Sequence, residues 1–155
     1  MLNPYQFRTD VVAPAIKALG PRFHTPAAEG LVFCTALAES NLTYLRQHGD
    51  GPALGLFQVE VATFNDIYRR YLGTRPDITR NLQPLMTGEA PHLQLITNLS
   101  FAAAICRLRY WMDPSPLPAY EDADGMGATW KRVYNTELGA GVPAHFADLY
   151  RKYVL

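Results

Sequence analysis

Apolar residues recur along this chain mostly at intervals of three and four positions, the spacing that places them on one face of a helix. The first such stripe predicts a helix that begins after Asn3 at Pro4 and ends at Gly20. Pro14 is expected to kink or restart that helix, because a proline lacks the N–H donor and its ring meets the preceding turn. The stripe consists of Val11, Val12, Ala15, Ile16 and Leu19.

The second predicted helix has the clearest start and the most apolar surface. Thr25 fits the N-cap, Pro26 fits the first helical position, and the helix is expected to run to about Glu39. Its apolar positions are Leu31, Val32, Phe33, Cys34, Leu37 and Ala38. They cover nearly every side, which is typical of a helix in the middle of a domain.

The remaining patterns predict five further helices, and strand signals are nearly absent. The helices are expected over residues 61–73, 76–86, 92–112, 128–134 and 143–153, with that over 92–112 the longest. Prolines at positions 114, 116 and 118 prevent its continuation. No repeat or linker divides the chain, so residues 1–155 are expected to form a single, mainly α domain with little or no β-sheet.

Composition and charge narrow the classes of partner. The 155 residues carry 14 basic and 14 acidic side chains, so bulk charge does not favour a nucleic-acid partner. The longest apolar stretch, residues 30–38, is about half of the roughly 20 residues that a membrane helix requires, so no membrane insertion is expected. The N-terminal segment lacks the basic and apolar regions of a signal peptide. We therefore expect synthesis in the cytoplasm and delivery to the site of action by other machinery.

The cysteines and histidines predict neither a metal site nor a cofactor. Cys34 and Cys106 lie in apolar helical patterns and are expected to be buried, reduced thiols. The four histidines are scattered along the chain, and no pair of cysteines has zinc-ligand spacing. Trp111 and Trp130 are the aromatic residues that best fit the wall of a ligand cleft, where a flat ring can stack on a ligand.

One carboxylate, Glu39, stands at the end of the most apolar helix. An ionised carboxylate at the edge of an apolar core loses hydration, so its pKa rises, to about 6 in a well-studied glycosidase. Such a group can donate a proton near neutral pH. The alternative is a helix-terminal Glu that points into solvent.

The segment after this helix favours the first interpretation. Gly49, Gly51 and Gly55 permit backbone conformations that other residues rarely adopt and allow close approach of a ligand. Gln58 follows as an amide between apolar neighbours, where it could read hydroxyl or acetamido groups. The glycine loop alone is a weak signal, whereas "AES", a glycine loop and "GLFQVE" in succession are much more specific.

This order of motifs resembles that of the goose-type lysozymes and soluble lytic transglycosylases, which belong to the lysozyme-like superfamily and cut the glycan strands of bacterial peptidoglycan. The matching segments, spread over residues 31–141, are Glu39-Ser40, Gly49-Asp50, Gly55-Leu56-Phe57-Gln58, Val59-Glu60, "NLSFAAAICRLRYW" and "VYNTELGAG". Three features depart from the family pattern. Phe57 replaces the usual Met, the serine that transglycosylases carry in the loop is missing, and the tail after Asn135 is longer.

The resemblance implies a lysozyme-like fold with a substrate cleft and assigns roles to particular residues. Glu39 would protonate the glycosidic oxygen, and Tyr134 would lie beside Glu39 and orient it. Gln58 and Asn135 would bind the N-acetyl groups of the sugars. Ser40, Gly55, Leu56 and Phe57 would complete the substrate-binding segment, with Ser40 supporting the loop rather than acting as a nucleophile.

Three functions are compatible with these assignments. The first is a lytic transglycosylase with Glu39 as its only catalytic carboxyl group and an anhydro sugar as its product. The second is an inverting muramidase in which Asp50 holds the attacking water. The third is a non-catalytic component that binds peptidoglycan in a phage or a secretion apparatus.

Glu60 is either a further acid of the site or the first acidic residue of the next helix. In each case the expected partner is the peptidoglycan glycan strand, with phage or secretion machinery for delivery, and the protein is expected to be a monomer.

Overall fold

The structure is a computed structural model that describes residues 1–155, and it is mainly helical, with 63% of residues in helices and 3% in strands. This confirms the predicted fold class. The eight helices are α1 (residues 4–18), α2 (Pro26–Ser40), α3 (61–71), α4 (Pro76–Leu82), α5 (Gln94–Thr97), α6 (Leu99–Trp111), α7 (123–135) and α8 (Pro143–Tyr153). Helices α1, α3 and α7 contain the π-helical stretches Phe7–Val12, Asp66–Tyr71 and Trp130–Asn135. Short 3₁₀ turns occupy Pro21–Phe23, Leu72–Thr74 and Gln83–Leu85.

Helix α1 begins as predicted, since the Asn3 side chain accepts a hydrogen bond from the Gln6 N–H. The helix changes character at Pro14, as predicted. The π-helical turns of Phe7–Val12 end there, and Pro14 occupies the second position of the α-helical stretch Ala13–Ala18, where a residue without an N–H donor is tolerated.

Helix α2 crosses the middle of the domain, as its apolar surface predicted. The Thr25 hydroxyl caps its first turn by accepting from the Ala28 N–H, and Asn41 ends it in the left-handed conformation with φ 50°. Every residue from Leu31 to Leu37 is buried. Glu39 stands two residues after the end of this stretch and is only partly buried.

The expected single helix over residues 92–112 is wrong, because the structure divides it at Asn98. Asn98 leaves the helical conformation and its side chain caps α6 by accepting from the Phe101 N–H. Its amide nitrogen donates to the Leu85 carbonyl oxygen, which holds the break in place. Helix α2, with 15 residues, is therefore longer than α6, with 13.

Helix α7 begins at Ala123, five residues before the predicted start at Ala128. The Asp122 side chain caps it by accepting from the Gly125 N–H. At Gly127 the missing side chain allows close approach of α8, because a Cβ would clash with the Pro143 carbonyl oxygen.

A small antiparallel hairpin, not foreseen as such, occupies the segment between α2 and α3. Strands β1 (Ala53–Leu54) and β2 (Val59–Glu60) pair with Leu54 opposite Val59. The "GLFQ" motif forms the turn between them, and its first and last residues, Gly55 and Gln58, both have positive φ. Leu56 and Phe57, at the centre of the turn, are buried in the core.

The Gly55 position has both a strained backbone and no room for a side chain. Its φ is +73°, and a Cβ would clash with the Leu95 carbonyl oxygen. We expect Gly55→Ala to lower the free energy of unfolding by about 2 kcal/mol, measured by urea denaturation. Gly49→Ala is the matched control, because Gly49 has φ +72° but no atom within 4 Å of its Cβ position, and only the backbone cost of about 1 kcal/mol should appear. Equal losses at the two positions would contradict this packing.

Cys34 and Cys106 are buried free thiols, as predicted. None of the helices is both long enough and apolar enough to span a bilayer.

Candidate active site

A cavity of about 790 Å³ opens at the C-terminal end of α2. One wall is the hairpin segment, including Tyr44, Arg46, Gln58 and Glu60. The opposite wall is the loop from Thr136 to Val142. The floor consists of Ala38, Glu39, Arg109, Trp130 and Tyr134. Only seven of the twenty lining residues are hydrophobic, so the cavity suits a polar ligand.

Glu39 is a poorly hydrated acid in the floor of this cavity. Burial raises the pKa of its carboxyl group from 4.5 to about 7, against the opposing effects of a hydrogen bond from Trp130 and the charge of Arg109. A fully solvent-facing Glu at a helix end would not show this. The carboxyl group is therefore protonated in a substantial fraction of molecules at neutral pH.

Trp130 orients the Glu39 carboxyl group. Its indole Nε1–H donates to Glu39 Oε1 at 2.9 Å, and its ring stacks on Phe146 with a centroid separation of 5.1 Å. Because Trp130 is only 3% exposed, it offers little face for stacking on a sugar. It lies in the cleft as expected, but as a hydrogen-bond donor to the acid.

Tyr134 lies on the floor of the cavity but does not hydrogen-bond Glu39, contrary to the expectation from the resemblance. Its hydroxyl donates to the Phe57 carbonyl oxygen at 2.7 Å and so ties α7 to the hairpin turn. Burial, followed by the neighbouring Cys106 and Glu39, raises the pKa of Tyr134 far above its ordinary value, so the hydroxyl stays protonated. Tyr134 therefore supports the turn that carries Gln58.

Arg109 is a residue of the site that sequence reasoning missed. Its guanidinium donates to the carbonyl oxygens of Val133 and Tyr134 at 3.2 and 2.8 Å and lies 4.5 Å from the centre of the Tyr134 ring. Its positive charge lowers the pKa of Glu39. The signal in the sequence was a charged residue within an otherwise apolar helix, but nothing indicated which face it occupied.

Gln58 reaches the cavity through a strained turn. Its φ of 48° is unusual for a residue with a side chain. The Gln58 Nε2 donates to the Gly55 carbonyl oxygen at 2.9 Å, which fixes the amide, while its Oε1 accepts no hydrogen bond within the chain. A fixed amide with an open acceptor can receive an N–H or O–H group of a ligand.

Asn135 lines the opposite side of the cavity and organises the loop there. Its Oδ1 accepts from the Lys131 Nζ at 2.8 Å and from the Gly141 N–H at 3.2 Å. Lys131 also donates to the Gly139 carbonyl oxygen at 2.6 Å. The Asn135 Nδ2 donates to no group of the chain and remains open to a ligand. Lys131 was not foreseen, although its spacing of four residues from Asn135 on one helix was a readable signal.

Five predicted site residues do not line the cavity. Ser40 is 2% exposed and its hydroxyl donates to the Ala36 carbonyl oxygen of the preceding turn. Leu56 and Phe57 are buried in the core, and Gly55 packs against the Leu95 backbone rather than opening a path for a ligand. These four residues shape the turn from within and are not positioned to contact a substrate.

Asp50 is the fifth, and it lies in the exposed part of the loop, with φ 59°, outside the cavity. The structure therefore does not place Asp50 across the cavity from Glu39, the position that the muramidase alternative requires. Glu60 does line the cavity, and it is also the residue that precedes α3. Trp111 lies away from the site, at the end of α6. No group of three or more His, Cys, Asp or Glu side chains is arranged to hold a metal ion.

Replacing Trp130 by Phe removes the N–H donor and keeps an aromatic ring. Since this hydrogen bond lowers the pKa of Glu39, we expect the pKa to rise above about 7 in the variant. The measurement is a titration of the Glu39 carboxyl carbon followed by ¹³C NMR, compared with that of the wild type. An unchanged midpoint would contradict the role of Trp130 in setting this pKa.

Comparisons with family models, with curated proteins and with solved structures find no match to this chain. The cavity contains one acid with a raised pKa, Glu39, and two amides, Gln58 and Asn135, that are held by hydrogen bonds within the chain. Such an arrangement can bind a polar ligand and donate a proton to it.

Proposed function

We propose that this protein cleaves the β-1,4 bond between N-acetylmuramic acid and N-acetylglucosamine in peptidoglycan, as a lytic transglycosylase. The observation that carries the proposal is Glu39, an acid with a pKa raised to about 7 in the floor of a polar cavity. The order of motifs from Glu39-Ser40 to Tyr134-Asn135 resembles that of the lysozyme-like enzymes. This resemblance supports peptidoglycan as the substrate.

In the first step, the Glu39 carboxyl group donates its proton to the glycosidic oxygen, and the bond between that oxygen and the sugar C1 breaks. The open acceptor of Gln58 and the open donor of Asn135 hold the N–H and C=O groups of the N-acetyl substituents. Because the Gln58 and Asn135 amides are already fixed by protein hydrogen bonds, they position the sugar with little further loss of side-chain freedom.

In the second step, the Glu39 carboxylate removes the proton of the muramoyl C6 hydroxyl, and the C6 oxygen bonds to C1. The product is a 1,6-anhydro sugar, and Glu39 regains its proton. One carboxyl group thus serves as acid and then as base. Arg109 and the Trp130 N–H stabilise the charged form between the two steps.

A second function, inverting hydrolysis, is favoured by one observation. Glu60 lines the same cavity as Glu39, so a water molecule held by Glu60 could attack C1 in place of the C6 hydroxyl. Inverting enzymes separate their two carboxyl groups by about 6.5 to 9.5 Å. In this alternative Glu60, rather than the outlying Asp50, is the base.

Mass spectrometry of digested sacculi tests the proposal. We expect anhydro-muropeptides from the wild type, from Asp50→Asn and from Glu60→Gln, with the rate for Asp50→Asn within about twofold of the wild type because the side chain lies outside the cavity. Reducing ends that disappear in Glu60→Gln would instead establish the hydrolase. Absence of any cleavage by the folded wild type would overturn both functions.

A further inference from the structure

A second cavity, of about 400 Å³, lies beside the C-terminal end of α6. Arg107 and Trp111 line it together with the segment from Asp113 to Leu117. Arg107 and Arg109 are two positions apart on the helix, so their side chains leave in directions about 200° apart. Arg109 faces the candidate active site, and Arg107 faces this second cavity.

Arg107 is a buried guanidinium without a counterion. It is 4% exposed, and its Nε donates to the Phe23 carbonyl oxygen at 2.8 Å. The terminal nitrogens Nη1 and Nη2 donate to no group of the chain, and none of the protein's ion pairs includes Arg107. Burial lowers the pKa of Arg107 to about 10, a direction that a nearby carboxylate would oppose.

The two unpaired nitrogens open into the cavity. Every side-chain nitrogen or oxygen that is fully enclosed in this protein has a hydrogen-bond partner. Since Nη1 and Nη2 have none, they are not fully enclosed, and the cavity lined by Arg107 is the space in front of them. A guanidinium that has lost most of its hydration and has no counterion is stabilised when an anion binds beside it. The cavity gives an anion access to Arg107.

The remainder of the cavity wall combines the aromatic side chains of Tyr110 and Trp111 with the segment from Asp113 to Leu117, and it adds no further free charge. The Trp111 ring lies with its centre 5.2 Å from the Arg107 guanidinium carbon, and Pro116 and Leu117 extend the apolar surface. Asp113 is the one carboxylate of the wall, and it is paired with Arg132 at 2.8 Å. The site therefore offers one unmatched positive charge next to an aromatic and aliphatic surface.

We infer that this cavity binds a small monocarboxylate that carries an apolar group. The carboxylate accepts from both terminal nitrogens of Arg107 in the bidentate arrangement that a guanidinium favours, and the apolar group lies against Trp111 and Leu117. A dianion fits less well, because its second charge would face Asp113. The inference is independent of the proposed glycan cleavage, since it rests on no contact of Glu39, Gln58 or Asn135, none of which lines this cavity.

The test is a titration with isobutyrate followed by the indole N–H resonances of the two tryptophans in ¹H–¹⁵N spectra. Isobutyramide is the matched neutral ligand of the same shape. We expect the Trp111 resonance to shift in a saturable manner with isobutyrate and at least tenfold less at equal concentration with isobutyramide. The Trp130 resonance, identified by its loss in Trp130→Phe, serves as the internal reference and should not move.

Arg107→Met should abolish the shift, and Arg107→Lys should weaken it, because an ammonium group lacks the bidentate geometry. Equal shifts with isobutyrate and isobutyramide in the wild type would overturn the proposal without any variant. The same titration is carried out with inorganic phosphate and with acetate. If either binds as tightly as isobutyrate, the apolar wall does not contribute to binding and the proposal is overturned. None of these outcomes depends on glycan cleavage, so failure here and failure of the proposed function are distinguishable.

Discussion

Replacing Glu39 by Gln is expected to lower the rate of release of soluble fragments from purified sacculi by about 100- to 10,000-fold. Gln keeps the shape of the side chain and can accept from the Trp130 N–H, but it has no proton to give to the glycosidic oxygen, and general acid catalysis is worth about this factor. Clearing on cell-wall zymograms, followed by a turbidity assay, measures the loss.

Glu121→Gln is the matched control for this experiment. It makes the same chemical change at an exposed position outside the cavity, so the rate should equal that of the wild type. If Glu39→Gln retains clearing, Glu39 is not the acid of the reaction. If the folded wild type fails to clear while it still binds sacculi, the non-catalytic peptidoglycan-binding role replaces the enzyme.

The second large effect concerns stability and requires no substrate. The pKa of Glu39 is about 7 in the folded protein and about 4.5 in the unfolded chain. The folded state therefore holds the proton more tightly, and the stability associated with that proton is lost as the pH rises from about 4.5 through about 7. We expect the free energy of unfolding of the wild type, relative to that of Glu39→Gln, to fall by about 3 kcal/mol between pH 4 and pH 8.

Urea denaturation of both proteins at several pH values measures this difference. In Glu39→Gln the buried side chain is neutral at every pH. All other titrating residues are the same in the two proteins, so their effects on the free energy of unfolding cancel in the comparison. Glu121→Gln should give a difference from the wild type that does not vary with pH. A pH-independent difference for Glu39→Gln would mean that the carboxyl group is well hydrated, whatever the protein does to peptidoglycan.

The two experiments measure proton binding by Glu39 and proton transfer from Glu39 separately. The stability measurement asks whether the end of α2 holds a proton near neutral pH. The activity measurement asks whether that proton reaches a glycosidic bond. A proton that is held but never transferred would leave the fold and the site intact and remove only the enzymatic function.

Much of the helical framework was predictable because helix ends depend on neighbouring residues. Asn3 and Thr25 cap α1 and α2 through hydrogen bonds to N–H groups three positions away, and a spacing of three residues can be read directly from the chain. The break at Asn98 was missed for a related reason. Its own cap is local, but the amide is held by the Leu85 carbonyl oxygen, 13 residues earlier, and periodicity carries no information about that partner.

The site shows the same division between local and distant contacts. The position of Glu39 at the edge of the most apolar helix predicted a raised pKa, and the structure agrees in direction. The partners of Glu39 were less predictable. Trp130, which orients the acid, is 91 positions away, and the Tyr134 hydroxyl donates to a carbonyl oxygen 77 positions away rather than to the acid.

The amino-acid sequence by itself determined the helical class, most of the helix starts and the desolvated acid, because capping, apolar periodicity and burial of one helix depend on short-range order. Only the tertiary structure decided which groups surround that acid, which amide atoms stay open, that Asp50 lies outside the cavity, and that Arg107 is buried without a counterion. These features depend on how α2, α6, α7 and the hairpin pack together. Packing brings residues that are far apart in the sequence into contact, and the pattern of residues along the chain does not indicate which of them will meet.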